Sequence, residues 1–426
     1  MHFAILTYGS RGDVQPYIAL ALGLIDRGHE ARLIANENFA GLVESYGIKF
    51  HPLPGDMEAL IRSPKVSTLL KSGNMISYLR EMRKLMRGMQ TVVNATMFDE
   101  CSPADVEFLI ASPLTMVWIY SIAERLGKNF AVVHLSLPAI PTGEFPFAGF
   151  PVLRWSVYNI LTYKLMRFIY WRLSKVDIAV HRDTLRLPLI EKSVLDKIAE
   201  KKILNLHAIS PALIPRPKDW DKFNVVTGFL KIPRTKLKSV TPGLETWLTQ
   251  GQTDQPVYIG FGSIPVPDPE LLAKIITELL ATTKYRFILC EGWSAFEKLP
   301  FHERLLVVKE VDHEWLLPQC KCAVIHGGIG TIAATLRAKI PPIIVSIFAD
   351  QPLWGRLISR KGLGLHIPFK NLTTAKLLAA IAAAESHKIC QPVAFIGDRI
   401  NKEDGLSTAI DMLESYFGNR AIMMKS

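Results

Sequence analysis

Short apolar runs that end in a turn and give way to a helical pattern recur along this chain. That rhythm restricts the fold more than any other feature. His2 to Tyr8 is an apolar run stopped at Gly9, the pattern of a buried strand. Pro16 opens a helical stretch whose Ile18, Leu22 and Ile25 share one face, and Gly28 closes it. Ala31 to Ala35 reads as the next strand, and Phe39 to Tyr46 as the next helix, stopped by Gly47. A βαβα order implies a parallel sheet covered by helices on both faces.

The rhythm restarts after the polar, proline-containing stretch Lys231 to Gln255. Strands are expected at Pro256–Phe261, Tyr285–Cys290, Leu305–Val311, Lys321–Ile325 and Ile343–Ile347. Helices are expected at Pro269–Thr282, Thr331–Ala338, Gln351–Lys361, Ala375–Glu385 and Ser407–Phe417. A length of 426 residues is about twice what one hydrophobic core supports. The expectation is therefore α/β, two doubly wound domains: residues 1–228, a linker at 229–255, residues 256–405, and a C-terminal helix at 406–426 able to pack back on the first domain. Ligands of open α/β sheets sit outside the carboxyl ends of strands, so two such domains facing across a cleft would hold the site between them.

The middle of the chain differs. Residues 65–100 read as helical and carry Arg80, Arg83, Lys84 and Arg87. Asp105–Ser112 and Phe130–Leu135 are strand candidates, and Pro138 to Thr142 is a proline-rich loop. Residues 150–176 interleave Trp155, Tyr158, Phe168 and Trp171 with Arg154, Lys164, Arg167 and Arg172. That pattern reads as a helical pair walling a pocket, in preference to peripheral contact with a lipid surface.

The net charge of +11 admits nucleic acid, anionic lipid or a phosphorylated ligand. The basic residues are scattered and no nucleic-acid module is recognisable, so nucleic acid is not expected. Five cysteines, an odd count in a large chain, argue against a disulfide framework. Cys320 and Cys322 stand too close for a zinc pair, and plain buried thiols are expected there. No eighteen-residue apolar run and no signal peptide is recognisable, so the expected compartment is cytoplasmic.

Three turns of the second domain and one of the first carry chemistry. Val324-Ile325-His326-Gly327-Gly328-Ile329-Gly330-Thr331 reads as a buried strand, a glycine turn and a helix beginning near Thr331. Glycines let backbone N–H groups approach a ligand, and a helix N-terminus suits a diphosphate. A tight turn without any ligand fits the same residues. Asp350 and Gln351 follow a second strand and stand before Pro352, a pair suited to sugar hydroxyls or to capping a helix. Gly262-Ser263 follows a third strand, and Ser263 can donate to a phosphate. In the first domain the turn is Gly9-Ser10-Arg11-Gly12-Asp13, with too few glycines for a dinucleotide fingerprint. Asp13 fits a general base for a hydroxyl proton and equally a helix cap.

At these residues the chain resembles the sterol 3β-glucosyltransferase and natural-product glycosyltransferase group, which has the GT-B fold of two Rossmann-like domains. The resemblance rests on GSRGDVQP at 9–16, GFGS at 260–263, DHEWLLPQC at 312–320, HGGIGTIAATLRAKIP at 326–341, FADQPLWG at 348–355 and EDGLSTAI at 403–410. It implies an N-terminal acceptor-binding domain and a C-terminal nucleotide-sugar-binding domain. It implies inverting transfer of a hexose, foremost glucose from UDP-glucose, to a hydroxyl of a hydrophobic acceptor such as a sterol, terpenoid or flavonoid. By the same resemblance Asp13 is the catalytic base, supported by Ser10, Arg11 and Gly12. His326, Gly328, Gly330, Thr331 and Ser263 take the diphosphate, and Asp350 and Gln351 the sugar. Plant relatives place a tryptophan under the base about eighteen residues before the motif histidine. Here that count lands on Val308, which leaves the base to Val308 and Val311, with Trp315 expected in the core. The family uses a nucleotide-sugar co-substrate, no cofactor and no metal. A nucleotide-sugar epimerase of the same fold and a non-catalytic nucleotide-sugar-binding protein are the alternatives.

Overall fold

The computed structural model describes residues 1–71, 75–136, 139–233, 243–250, 254–294, 296, 299 and 301–425. Pro138 of the proline-rich loop, and 234–242 and 251–253 of the expected linker, lie outside the described residues. The chain divides into two compact units. The first comprises 1–57, 84–233 and 403–426; the second comprises 58–83 and 234–402.

The first unit holds a seven-stranded parallel sheet: β1 (His2–Leu6), β2 (Glu30–Asn36), β3 (Lys49–Leu53), β4 (Phe108–Ala111), β5 (Asn129–His134), β6 (Asn205–His207) and β7 (Asn224–Val226). Their order is β3-β2-β1-β4-β5-β6-β7. Phe3, Ala4, Ile5 and Leu6 are all buried, because helices cover both faces of a parallel sheet. The second unit holds β8 (Val257–Gly260), β9 (Phe287–Cys290), β10 (Leu305–Val308), β11 (Cys322–Ile325), β12 (Pro342–Ser346) and β13 (Leu365–Pro368), in the order β10-β9-β8-β11-β12-β13, again parallel. Both are Rossmann-like sheets. β3, β6, β7 and β13 escape sequence reading: β3 mixes Lys, His and Pro into its five residues, and β6 and β7 are three residues long, too short to show a period.

The helix Gly405–Lys425 belongs to the first unit. Its Phe417 ring lies 4.5 Å from Phe108 and 5.7 Å from Phe3. Arg27 pairs with Asp411 at 2.7 Å, and His29 meets Glu414 at 2.8 Å. Gly23 is needed here, since a Cβ would come within 2.6 Å of Ile410.

Three local expectations change. The first helix spans Arg11–Asp26 and so begins five residues before Pro16, which sits inside it. Capping by Ser10 and Asp13 starts the helix early; proline costs it one later hydrogen bond. Residues 150–176 form no helical pair. One helix runs from Ser156 to Thr184, with no glycine or proline to interrupt it. Trp315 is half-buried, not a core residue.

Inside the first unit, buried Arg182 donates to Glu124 at 3.0 Å and to the Pro188 carbonyl at 2.7 Å. Burial works to raise the Glu124 pKa, yet the hydrogen bond and charge of Arg182 prevail and hold it below the usual value. Arg182→Met is expected to cost about 1–2 kcal/mol, because the Pro188 carbonyl and the buried Ser121 hydroxyl lose their donor, while Glu124 keeps Lys201 at 3.7 Å. Urea unfolding measures this, and an unchanged midpoint would contradict it.

Burial pushes His134, His181, His207 and His326 below the ordinary imidazole value, His181 and His326 to about 4. The unfolded chain therefore binds more protons than the folded one between pH ~6.5 and about 4. The stability of the neutral rings is full above pH ~6.5 and is lost as the pH falls toward 4. The urea midpoint is expected to drop between pH 7.5 and pH 5, and a flat midpoint would refute this.

Candidate functional site

In the second sheet, β8, β11 and β12 are neighbours. Each ends in one of the three turns that the sequence singles out, so the turns lie side by side at one edge. The strand order reverses at β8, with β9 and β10 to one side and β11 to β13 to the other. A crevice outside the carboxyl ends at such a reversal is where open α/β sheets hold ligands. Gly262 and His326 flank it.

After β11, Gly327 has φ +100°, and a Cβ there would meet Ile344 at 2.7 Å. Only glycine makes this turn. Gly328 is the N-cap of the helix Ile329–Arg337, which starts two residues before the expected Thr331. The N–H groups of Ile329, Gly330 and Thr331 are thus first-turn donors without intrahelical acceptors. They present the positive end of the helix dipole.

His326 is buried, and its Nδ1 is sealed with no hydrogen-bond partner. Burial first, then the charge of His313, push its pKa down to about 4 against the opposing Gly260 carbonyl. At neutral pH it is a hydrogen-bonding group and not a cation. A Cβ on Gly328 would lie 2.5 Å from its Nε2, and one on Gly262 3.4 Å from its Cε1. Gly328 therefore makes room for the imidazole, whereas Gly262 is required by its φ of +60° and not by space.

The Gly262-Ser263 turn is braced from a loop that sequence reading passed over. Trp293 N–H donates to the Gly262 carbonyl at 3.0 Å. Gly292, at φ +55°, stands where a Cβ would meet that same oxygen at 2.2 Å. Ser263 is half-buried beside it. The signal was present as Glu291-Gly292-Trp293 at the end of a predicted strand, but nothing local ties it to Gly262.

The third turn is strained. Ala349 has φ +55°, a conformation that costs a non-glycine residue about 1 kcal/mol or more. Gln351 is buried, and its Oε1 accepts from Ile347 N–H at 2.8 Å and Phe348 N–H at 3.2 Å. That oxygen braces the loop, so of the carboxamide only the N–H2 suits a ligand. Asp350 accepts from the Trp354 indole at 3.1 Å. Val308 is buried at the end of β10, and its carbonyl accepts from Glu291 N–H at 2.9 Å. Val311 is half-buried.

In the first sheet the strand order reverses between β1 and β4. Ser10 caps the helix Arg11–Asp26, and Asp13 is in its first turn. Asp13 Oδ2 accepts from Ser10 N–H at 2.8 Å and Ser10 Oγ at 2.9 Å. Both readings of Asp13 thus share one position: it caps the helix and lies at the carboxyl edge of the sheet. Gly9 has φ +136°, and a Cβ there would sit 2.5 Å from that oxygen. Arg11 and Gly12 are first-turn residues and not a loop. A cavity of about 280 Å³ lined by Pro141, Arg167 and Trp220 contains none of these site residues. Among the described residues no cluster of three or more His, Cys, Asp or Glu side chains has the arrangement of a metal site.

Residues 3–138 match the glycosyltransferase family 28 N-terminal domain, and residues 294–394 the erythromycin biosynthesis protein CIII-like C-terminal domain. A sterol 3-beta-glucosyltransferase of Yarrowia lipolytica is 33% identical over 97% of this chain, which spans 28% of that protein's length. One from Arabidopsis thaliana is 30% identical over 98% of this chain, which spans 68% of its length. The solved structure of the glycosyltransferase VinC in complex with DTDP has a TM-score of 0.67 at 14% identity, covering 97% of this chain and 98% of that one. That likeness shows the fold.

Proposed function

Because the chain belongs to the sterol 3-beta-glucosyltransferase family, we propose that it transfers a hexose, foremost glucose from UDP-glucose, to a hydroxyl of a lipophilic acceptor such as a sterol. One observation carries this reading. Two glycine turns and a third strained at Ala349 adjoin on neighbouring strands beside the open N-terminus of the helix Ile329–Arg337. First-turn N–H groups at a helix N-terminus, with the positive end of its dipole, favour an anionic ligand there.

The transfer creates negative charge on the departing diphosphate. In our reading the N–H groups of Ile329, Gly330 and Thr331, with Ser263 and His326, receive that charge where it grows. Asp350 and the Gln351 N–H2 hold sugar hydroxyls. Asp13 removes the acceptor proton as its oxygen attacks the sugar carbon from the face opposite the leaving group, which inverts the centre. No step in this scheme is assigned to a metal. The family's lipophilic acceptors favour a transferase over an epimerase of the same fold.

The test incubates the protein with UDP-glucose and a panel of sterols, flavonoids and other hydroxylated hydrophobes, with products read by mass. A glycoside of acceptor plus hexose is expected. A changed sugar without glycoside would establish the epimerase instead. Binding of UDP-glucose without any product would leave a sugar-nucleotide-binding protein.

A further inference from the structure

The helix Ser156–Thr184 anchors itself by one face and leaves the other in solvent. Tyr163, Ile178 and Arg182 are buried. Leu161, Leu165, Phe168 and Val176 are 53%, 47%, 61% and 58% exposed. At about 3.6 residues per turn these four lie on one side of the helix. Trp155, just before its first turn, is 60% exposed. Isolated exposed apolar residues are ordinary, but a continuous strip of this length marks an interaction surface.

The charge around the strip is basic as far as Val176, and the exposed Asp183 falls on the same side two turns beyond it. Arg172 and Lys175 fall within the same arc, Lys164 at its border, and Arg154 beside Trp155; all four are exposed. From residue 145 to residue 176 the chain has five basic side chains and no Asp or Glu. Against a second copy of this chain, the strip would bring like charges together with no acid in the segment to pair them. An anionic bilayer offers acyl chains for the apolar side chains and phosphates for the cations. No helix among the described residues is long and apolar enough to cross a membrane.

We propose that this face docks on an anionic lipid bilayer, with the helix lying in the plane of the interface. Leu161, Leu165, Phe168 and Trp155 enter the boundary between headgroups and acyl chains, and the four exposed cations meet lipid phosphates. The proposal stands apart from the transferase reading and needs neither donor nor acceptor. It takes up the lipid-surface alternative for these residues in place of the pocket wall.

The experiment is co-sedimentation of the full chain with phosphatidylcholine vesicles, with and without phosphatidylserine. The wild type is expected to sediment with the phosphatidylserine vesicles and to be released by salt. Arg172→Gln with Lys175→Gln is expected to weaken partition roughly thirtyfold, from about fivefold per cation. Leu161→Ser with Phe168→Ser is expected to abolish it, with circular dichroism unchanged. Failure of the wild type to sediment with phosphatidylserine vesicles would overturn the proposal, as would unaltered partition of both variants. A wild-type dimer that the apolar variant dissociates, without vesicle binding, would assign the face to a second copy.

Discussion

Asp13→Ala is expected to lower turnover by ~10²-fold or more, with donor affinity changed little. The expectation follows from two facts about one side chain. Asp13 is placed at the carboxyl edge of the first sheet, beside the point where strand order reverses. Its Oδ2 is held by two hydrogen bonds from Ser10, so the carboxylate has a fixed position. The same bonds make alanine an ambiguous probe, because losing a cap costs a helix about 1 kcal/mol. Asp13→Asn resolves this. The carboxamide oxygen can keep accepting from Ser10 N–H, while an amide cannot take a proton at neutral pH. Turnover should fall as far with asparagine as with alanine, and only alanine should lower the unfolding midpoint. Near-normal turnover in the asparagine variant would remove Asp13 from the role of base.

His326→Ala is the second large effect, an expected loss of about 10²–10³ in kcat. The imidazole is neutral near pH 7, since burial pushes its pKa down to about 4. In the proposed scheme it acts as a neutral dipole toward the developing charge, so the loss should be nearly the same at pH 6 and pH 8. A histidine acting as a cation would instead give a rate that falls as the pH rises through its pKa. His326→Gln should recover part of the rate. Turnover within a few-fold of wild type in the alanine variant would sink the diphosphate assignment.

Much of this site is legible in the chain because its parts are local. Gly327 must reach φ +100°, Gly9 must leave room for Asp13, and both demands are written in single residues. The buried strands before them are short apolar runs. Where structure departs from local pattern, the cause is local. Pro16 suggests a helix start because proline is common in the first turn, yet Ser10 and Asp13 cap the helix ahead of it. Gln351 has only its N–H2 left for a ligand, because its oxygen satisfies two loop N–H groups that no sequence pattern announces.

The sequence by itself determined the alternation of strand and helix, the glycine turns and the residue types within them. These depend on φ/ψ limits and hydrogen bonds spanning a few residues. Only the tertiary structure decided that the turns after β8, β11 and β12 adjoin, although 60 or more residues separate the first from the others. It alone decided that Trp293 braces Gly262, and that the strip around Phe168 faces solvent. Strand order and exposure are long-range outcomes. They are fixed by which apolar faces cover one another, and a single chain's periodicity says that a face exists without saying what covers it.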